Sequence, residues 1–152
     1  MMKNKFKEYY QNNPDIGMKH DKIARDVCKN NAGKINSNIK EISDHPDKYD
    51  IDLIATLQNG DIQYIEAEYS LSWKSHKFPY GMFNVPSRKE KFFVKYPNSL
   101  YVMVNYNRTM IAIVEGDVIL QQPLVEFPNR FNKSGEYFYR MILDNVRFEE
   151  LI

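Results

Sequence analysis

The sequence predicts an α/β domain, a mixed sheet flanked by helices. Three observations predict it. Apolar residues recur at helical spacing before residue 31 and again over 87–96. Two pairs of strand-like segments, within 49–69 and 99–116, each close through a short polar turn. Helix and hairpin alternate along the chain, which is how layered folds of sheet and helix are built. A length of 152 residues suits a single domain, 1–152, with one core.

In order, Phe6, Tyr9 and Tyr10 predict a helix over 3–12 that Pro14 ends. Ile23, Ala24, Val27 and Cys28 share one face of a second helix over 21–31, with Asp21 as N-cap and Asn31 and Gly33 at its end. The polar stretch 34–48, with Pro46, reads as an irregular connection. Strands are expected at 49–57 and 61–69, and at 99–106 and 110–116, with a helix over 87–96 between the pairs. Weaker strand signals lie at 118–120 and 137–143, separated by Pro123, Pro128 and a polar turn at 132–135.

The chain carries 21 Lys and Arg against 20 Asp and Glu, for a net charge of +1, which excludes a polycation or a charged disordered tail. Its longest apolar runs, 100–104 and 110–114, are too short to span a bilayer, and the first ten residues hold no apolar signal core. A cytoplasmic chain that makes no use of a membrane is therefore expected. The single cysteine, Cys28, can form neither an internal disulfide nor a cysteine-rich zinc site.

Charge is segregated along the chain. Residues 1–40 sum to +5, 41–72 to −7, 73–95 to +5 and 96–152 to −2. Basic blocks on either side of an acidic one suit a polyanionic partner with a cation held beside it.

The register of the first hairpin concentrates the acids. Gln58-Asn59-Gly60 suits a three-residue loop in which glycine takes the left-handed conformation. Opposed residues then have numbers summing to 118, so Asp52 faces Glu66 and Asp50 faces Glu68. Ile51, Leu53, Ala55, Leu57, Ile65 and Ala67 share the other, apolar face. A two-residue Asn-Gly loop would put Asp52 on the face opposite the two glutamates and mix acids with core residues. At a cross-strand spacing of about 5 Å, each pair of like charges repels by roughly 3 kcal/mol at an effective dielectric of about 20. Such a cluster is either a solvated strand face or a place for positive charge, and Mg²⁺ favours carboxylate oxygens.

Asp52 leading into one strand, followed by Glu66-Ala67-Glu68 on the next, resembles the active-site core of the PD-(D/E)XK nuclease superfamily. The order helix–strand–strand–helix–strand over about residues 20–106 resembles its restriction-endonuclease-like fold. The resemblance implies that Asp52, Glu66 and Glu68 are catalytic and bind Mg²⁺, with Mn²⁺ as a substitute, and that Asp50 is a further ligand or a supporting acid. Glu68 stands where that family usually has lysine, so a basic group has to come from elsewhere. Lys89 is the first candidate, because Lys89, Phe92, Phe93 and Tyr96 follow one helical stripe that can face the sheet. Lys74 is the second.

The function expected is metal-dependent hydrolysis of DNA phosphodiester bonds by an endonuclease, a chemistry that would also serve RNA. Arg88, Lys91 and Lys95 recur as a basic stripe for a phosphate backbone, and Lys74 and Lys77 interleave with Trp73, Phe78, Tyr80 and Phe83. So short a chain would need a homodimer to cut both strands of a duplex. The alternative is a nuclease-fold module without turnover that binds nucleic acid or a protein.

Overall fold

The computed structural model describes residues 14–129 and 132–151. The helix expected over 3–12 lies outside them. Helix α1 spans Pro14–Asn30 and is followed by the single turn α2, Ala32–Ile35. Pro14 opens α1 rather than only ending what precedes it, because its fixed φ suits the first helical position and its missing N–H costs nothing there. Asp21 consequently sits inside the helix and is not its N-cap. Ala24 and Cys28, both fully buried, carry the apolar face of α1 onto the sheet.

The main sheet has six strands in the order β1-β2-β3-β5-β6-β9. They are β1 (Ile39–Asp44), β2 (Leu53–Leu57), β3 (Ile62–Tyr69), β5 (Ser99–Val104), β6 (Met110–Glu115) and β9 (Arg147–Glu150). Every neighbouring pair is antiparallel except β3–β5. A second sheet of order β4-β8-β7 is built from β4 (Met82–Pro86), β7 (Leu124–Asn129) and β8 (Asn132–Ile142). Helix α3 (Glu90–Lys95) follows a 3-10 turn at Ser87–Lys89, and α4 is Gly116–Leu120. The chain is thus a mixed α/β fold with few helices. Where helices were expected to flank the sheet, one face takes α1 and the other takes the small second sheet with two short helices.

Each face of the main sheet has its own core. Ile65, Ala67, Val102, Val104 and Ile111 meet Ala24 and Cys28 on the α1 side. Tyr101, Ala112 and Val114 meet Trp73, Phe83, Phe93, Tyr139 and Met141 on the other. Truncating one such fully buried aliphatic side chain costs about 2–5 kcal/mol.

The sequence expectations for the polar connection and the C-terminal third need correction. Residues 34–48 contain β1, whose face toward solvent is polar, so little apolar alternation marks it. Residues 118–120 lie in α4, a turn too short to show a helical period. β4, β7 and β9 went unforeseen; Pro86 and Pro128 lie in β4 and β7, the two outer strands of the small sheet, where a missing N–H is tolerated. Among the described residues no helix is long and apolar enough to cross a membrane.

Candidate active site

The β2–β3 hairpin has the register with the three-residue loop. Leu53 pairs with Ile65, Ile54 with Tyr64, Ala55 with Gln63 and Thr56 with Ile62. Gly60 has φ of 91°, the left-handed turn that a side chain would strain, and its N–H donates to Leu57 O at 2.9 Å. Just past the last ladder pair, Asp52 and Glu66 are tied reciprocally. The Asp52 N–H donates to Glu66 Oε1 at 3.2 Å, and the Ala67 N–H donates to Asp52 Oδ2 at 2.9 Å.

Strand alternation turns Glu66 and Glu68 away from α1 and toward the second core. Lys89 comes across that face from the 3-10 turn after β4. Its Nζ lies 2.5 Å from Glu66 Oε2 and 3.8 Å from Glu68 Oε2. The Tyr101 hydroxyl donates to Glu68 Oε2 at 3.0 Å from the paired strand β5. Two further contacts fix the turn that carries Lys89: Tyr139 on β8 donates to Glu90 Oε1 at 2.5 Å, and Arg88 lies 3.4 Å from Glu136.

The charges follow from burial. Only 3% of the Glu66 side chain is exposed. Desolvation pushes its carboxyl up to about 8 against the pull of Lys89, and the Asp52 charge adds to the rise. Burial alone would lower Lys89, yet Glu66 and Glu68 more than offset it and hold the ammonium above its ordinary value. Glu68 also lies within reach of the same ammonium. Asp21, from α1, joins the same field. Its carboxyl is raised first by desolvation and next by Asp52, with Lys89 and Arg25 pulling it down and Glu68 adding a smaller rise.

Of the residues singled out in the sequence, Asp52, Glu66, Glu68 and Lys89 are brought together. Asp50 is not. β2 begins only at Leu53, and 45–52 form a loop closed by the His45 N–H on Asp52 O. Instead of facing Glu68, Asp50 accepts from Lys95 Nζ at 2.5 Å, from Tyr96 Oη at 2.9 Å and from the Ile51 N–H. Despite some desolvation, those donors, Lys95 first, hold its carboxyl down to about 2. Lys74 is not at the carboxylates either; its ammonium lies 5.2 Å from the centre of the Tyr106 ring.

The basic stripe is broken, because the 3-10 turn disrupts the helical period between Arg88 and Lys91. Arg88 turns to Glu136 and Lys95 to Asp50, while Lys91 lies over the Phe92 ring. Lys77 is exposed, but Trp73, Phe78 and Phe83 pack the second core and only Tyr80 of that aromatic set is exposed. Sequence reasoning missed Asp21 and Tyr101. Asp21 lies on the polar side of a helical period and looked like a cap. Tyr101 meets Glu68 only through the parallel β3–β5 register, which no turn encodes.

Among the described residues, no three His, Cys, Asp or Glu side chains converge as a ready-made metal site. The donor chemistry nonetheless fits a hard divalent cation. The acids offer oxygen alone, and Lys89 already brings positive charge to them against the rise that burial imposes on the Glu66 carboxyl. No family model matches the chain, and neither a curated protein nor a solved structure matches it.

Proposed function

We propose that the chain is a metal-dependent endonuclease acting on DNA, a variant of the PD-(D/E)XK type with a restriction-endonuclease-like arrangement. One observation carries the reading: Asp52 and Glu66 interlock at the end of the hairpin while Lys89, remote in sequence, reaches Glu66 and Glu68. The missing motif lysine is thereby supplied from the turn before α3.

Asp52, Glu66 and Glu68 would hold Mg²⁺, or Mn²⁺ in its place. When bound, the ion supplies a water of lowered pKa and positive charge for the phosphate oxygens. In the hydrolysis a water oxygen bonds to phosphorus, the bond to the departing alkoxide breaks, and that alkoxide takes up a proton. Lys89 offsets negative charge building on the phosphate, in a site dry enough for that to count. Tyr101 orients Glu68, Glu66 accepts from the Asp52 N–H, and Asp52 accepts from the Ala67 N–H. Asp50 and Lys95 brace the neighbouring loop and take no part in the chemistry. Exposed Lys74, Lys77 and Lys91, with Arg88, would meet the DNA backbone. A homodimer would place one such centre on each strand, and a cytoplasmic setting accords with the role.

A binding module without turnover is favoured by the same Lys89–Glu66 contact, if the lysine serves as a permanent counter-ion. Nicking of supercoiled plasmid with Mg²⁺ or Mn²⁺ separates the two. Cleavage that EDTA, Asp52→Asn and Glu66→Gln each abolish supports the nuclease. Folded protein that binds plasmid but leaves it intact, with no divalent ion bound in calorimetry, sinks it.

A further inference from the structure

The segments 73–77 and 105–109 meet at the C-terminal ends of β3 and β5. Asn105, fully buried, locks them together. Its Nδ2 donates to Ser75 O and Thr109 Oγ1, and its Oδ1 accepts from the N–H groups of Thr109 and Met110. The Tyr106 N–H donates to Trp73 O at 2.8 Å, and Asn107 donates to Lys74 O. On this rigid base the Tyr106 ring stands 44% exposed. It stacks on Tyr69 with centroids 5.9 Å apart and planes 20° apart, and the His20 ring lies 5.5 Å from that of Tyr69. The Tyr69 hydroxyl donates to Tyr106 O at 2.6 Å, fixing the stack.

Lys74 caps Tyr106, and the two segments hold Lys74, Lys77 and Arg108 with no acid. His76 lies 3.7 Å from Glu150. A braced aromatic face with an exposed cation over it suits a nucleobase, whose π-face stacks while the ammonium pairs with the adjoining phosphate. In a duplex both faces of a base are occupied, so only an unpaired base can reach Tyr106. Tyr106 stands in the turn just past β5, and the Tyr69 it stacks on follows Glu68 on β3 with its side chain on the α1 side of the sheet, so the ledge sits at the carboxylate end of these strands on the other face.

We infer that Tyr106, stacked on Tyr69 and with Lys74 over its ring, is a stacking ledge for an unpaired nucleotide, so that the substrate is DNA carrying a single-stranded segment. The inference rests on the nuclease reading for its substrate, but its test does not require cleavage.

Fluorescence anisotropy in EDTA would compare a single-stranded DNA, a duplex with a single-stranded overhang and a blunt duplex. Tyr106→Ala should weaken binding of the first two by about tenfold, the scale of one lost base stack, and leave the blunt duplex unchanged. Tyr106→Phe should restore binding, and Lys74→Gln should reduce the salt slope on single strands by about 0.7. Equal affinity of Tyr106→Ala and wild type for single strands overturns the ledge, as does equal loss on all three DNAs. Tyr106-dependent binding by a protein that cuts none of them keeps the ledge and overturns the nuclease. Cleavage that is indifferent to Tyr106 does the reverse.

Discussion

Two lysine–carboxylate pairs lie side by side on this protein, Lys95–Asp50 and Lys89–Glu66, and each closes at 2.5 Å. In the first, the lysine side chain is 59% exposed; in the second it is 17% exposed. The Asp50 carboxyl is held down to about 2, whereas the Glu66 carboxyl is pushed up to about 8. Contact distance therefore does not set the sign. Asp50 has Lys95, Tyr96 and a backbone N–H as donors. Glu66 is nearly dry and beside Asp52, and one ammonium shared with Glu68 does not offset that. The first pair fastens a loop. The second holds a buried carboxylate that gains from further positive charge.

Substitutions that remove one member of each pair sharpen this contrast. The largest effect is expected from Glu66→Gln, which should lower plasmid nicking by about 10²-fold or more, since the group lost is one that would hold the charge-stabilising ion. Asp50→Asn should leave nicking within a few-fold of wild type. Comparable losses from both would erase the functional distinction between the pairs.

Lys89→Met should cost about 3 kcal/mol in urea unfolding, because it strands a buried acid. Lys95→Met should move the urea midpoint only slightly, as its ammonium is exposed. If the two variants unfold alike, burial is not what separates the pairs.

The pH dependence runs in opposite directions. Glu66 is raised from an ordinary 4.5, so its contribution is fully present below about 4.5 and is lost as pH rises through about 8. Asp50 is lowered from 3.8, so its contribution is present above about 3.8 and is lost as pH falls through about 2. Urea midpoints measured across pH should therefore show a decline between about pH 4.5 and about pH 8 that Glu66→Gln flattens, and an acid decline that Asp50→Asn flattens. Divalent-ion affinity should also climb through about pH 8 as Glu66 gives up its proton.

The smallest effect belongs to Tyr101→Phe, which removes the hydroxyl on Glu68 and should cost about 1 kcal/mol, read as a small fall in urea midpoint. Nicking should fall more than stability does, since Glu68 loses its orientation. An unchanged rate would take Tyr101 out of the site.

The residues differ in how legible they were. Asp52 and Glu66 could be placed opposite each other from the turn and the alternation alone, because a hairpin encodes its own register within a few residues. Lys89 was nameable from its helical stripe with Phe93 and Tyr96, although the chain around it is a 3-10 turn. Asp50 was misplaced because the ladder stops at Leu53: Ile51 is fully buried, and the loop closes on itself through His45 and Asp52. Lys74 was the wrong partner for the carboxylates, and its aromatic neighbour, Tyr106, is remote in sequence.

By itself, then, the sequence determined the hairpin, its acidic end, the turn at Gly60 and the apolar faces of α1 and the central strands. All of these follow from local backbone preferences and short-range periodicity. Only the tertiary structure decided that β3 runs parallel to β5, that a second sheet covers the carboxylate face, and that Lys89 rather than Lys74 meets Glu66. Those depend on segments tens of residues apart finding one packing. Their reward is the shared burial of Tyr101, Phe83, Phe93 and Tyr139, which no single stretch of chain contains.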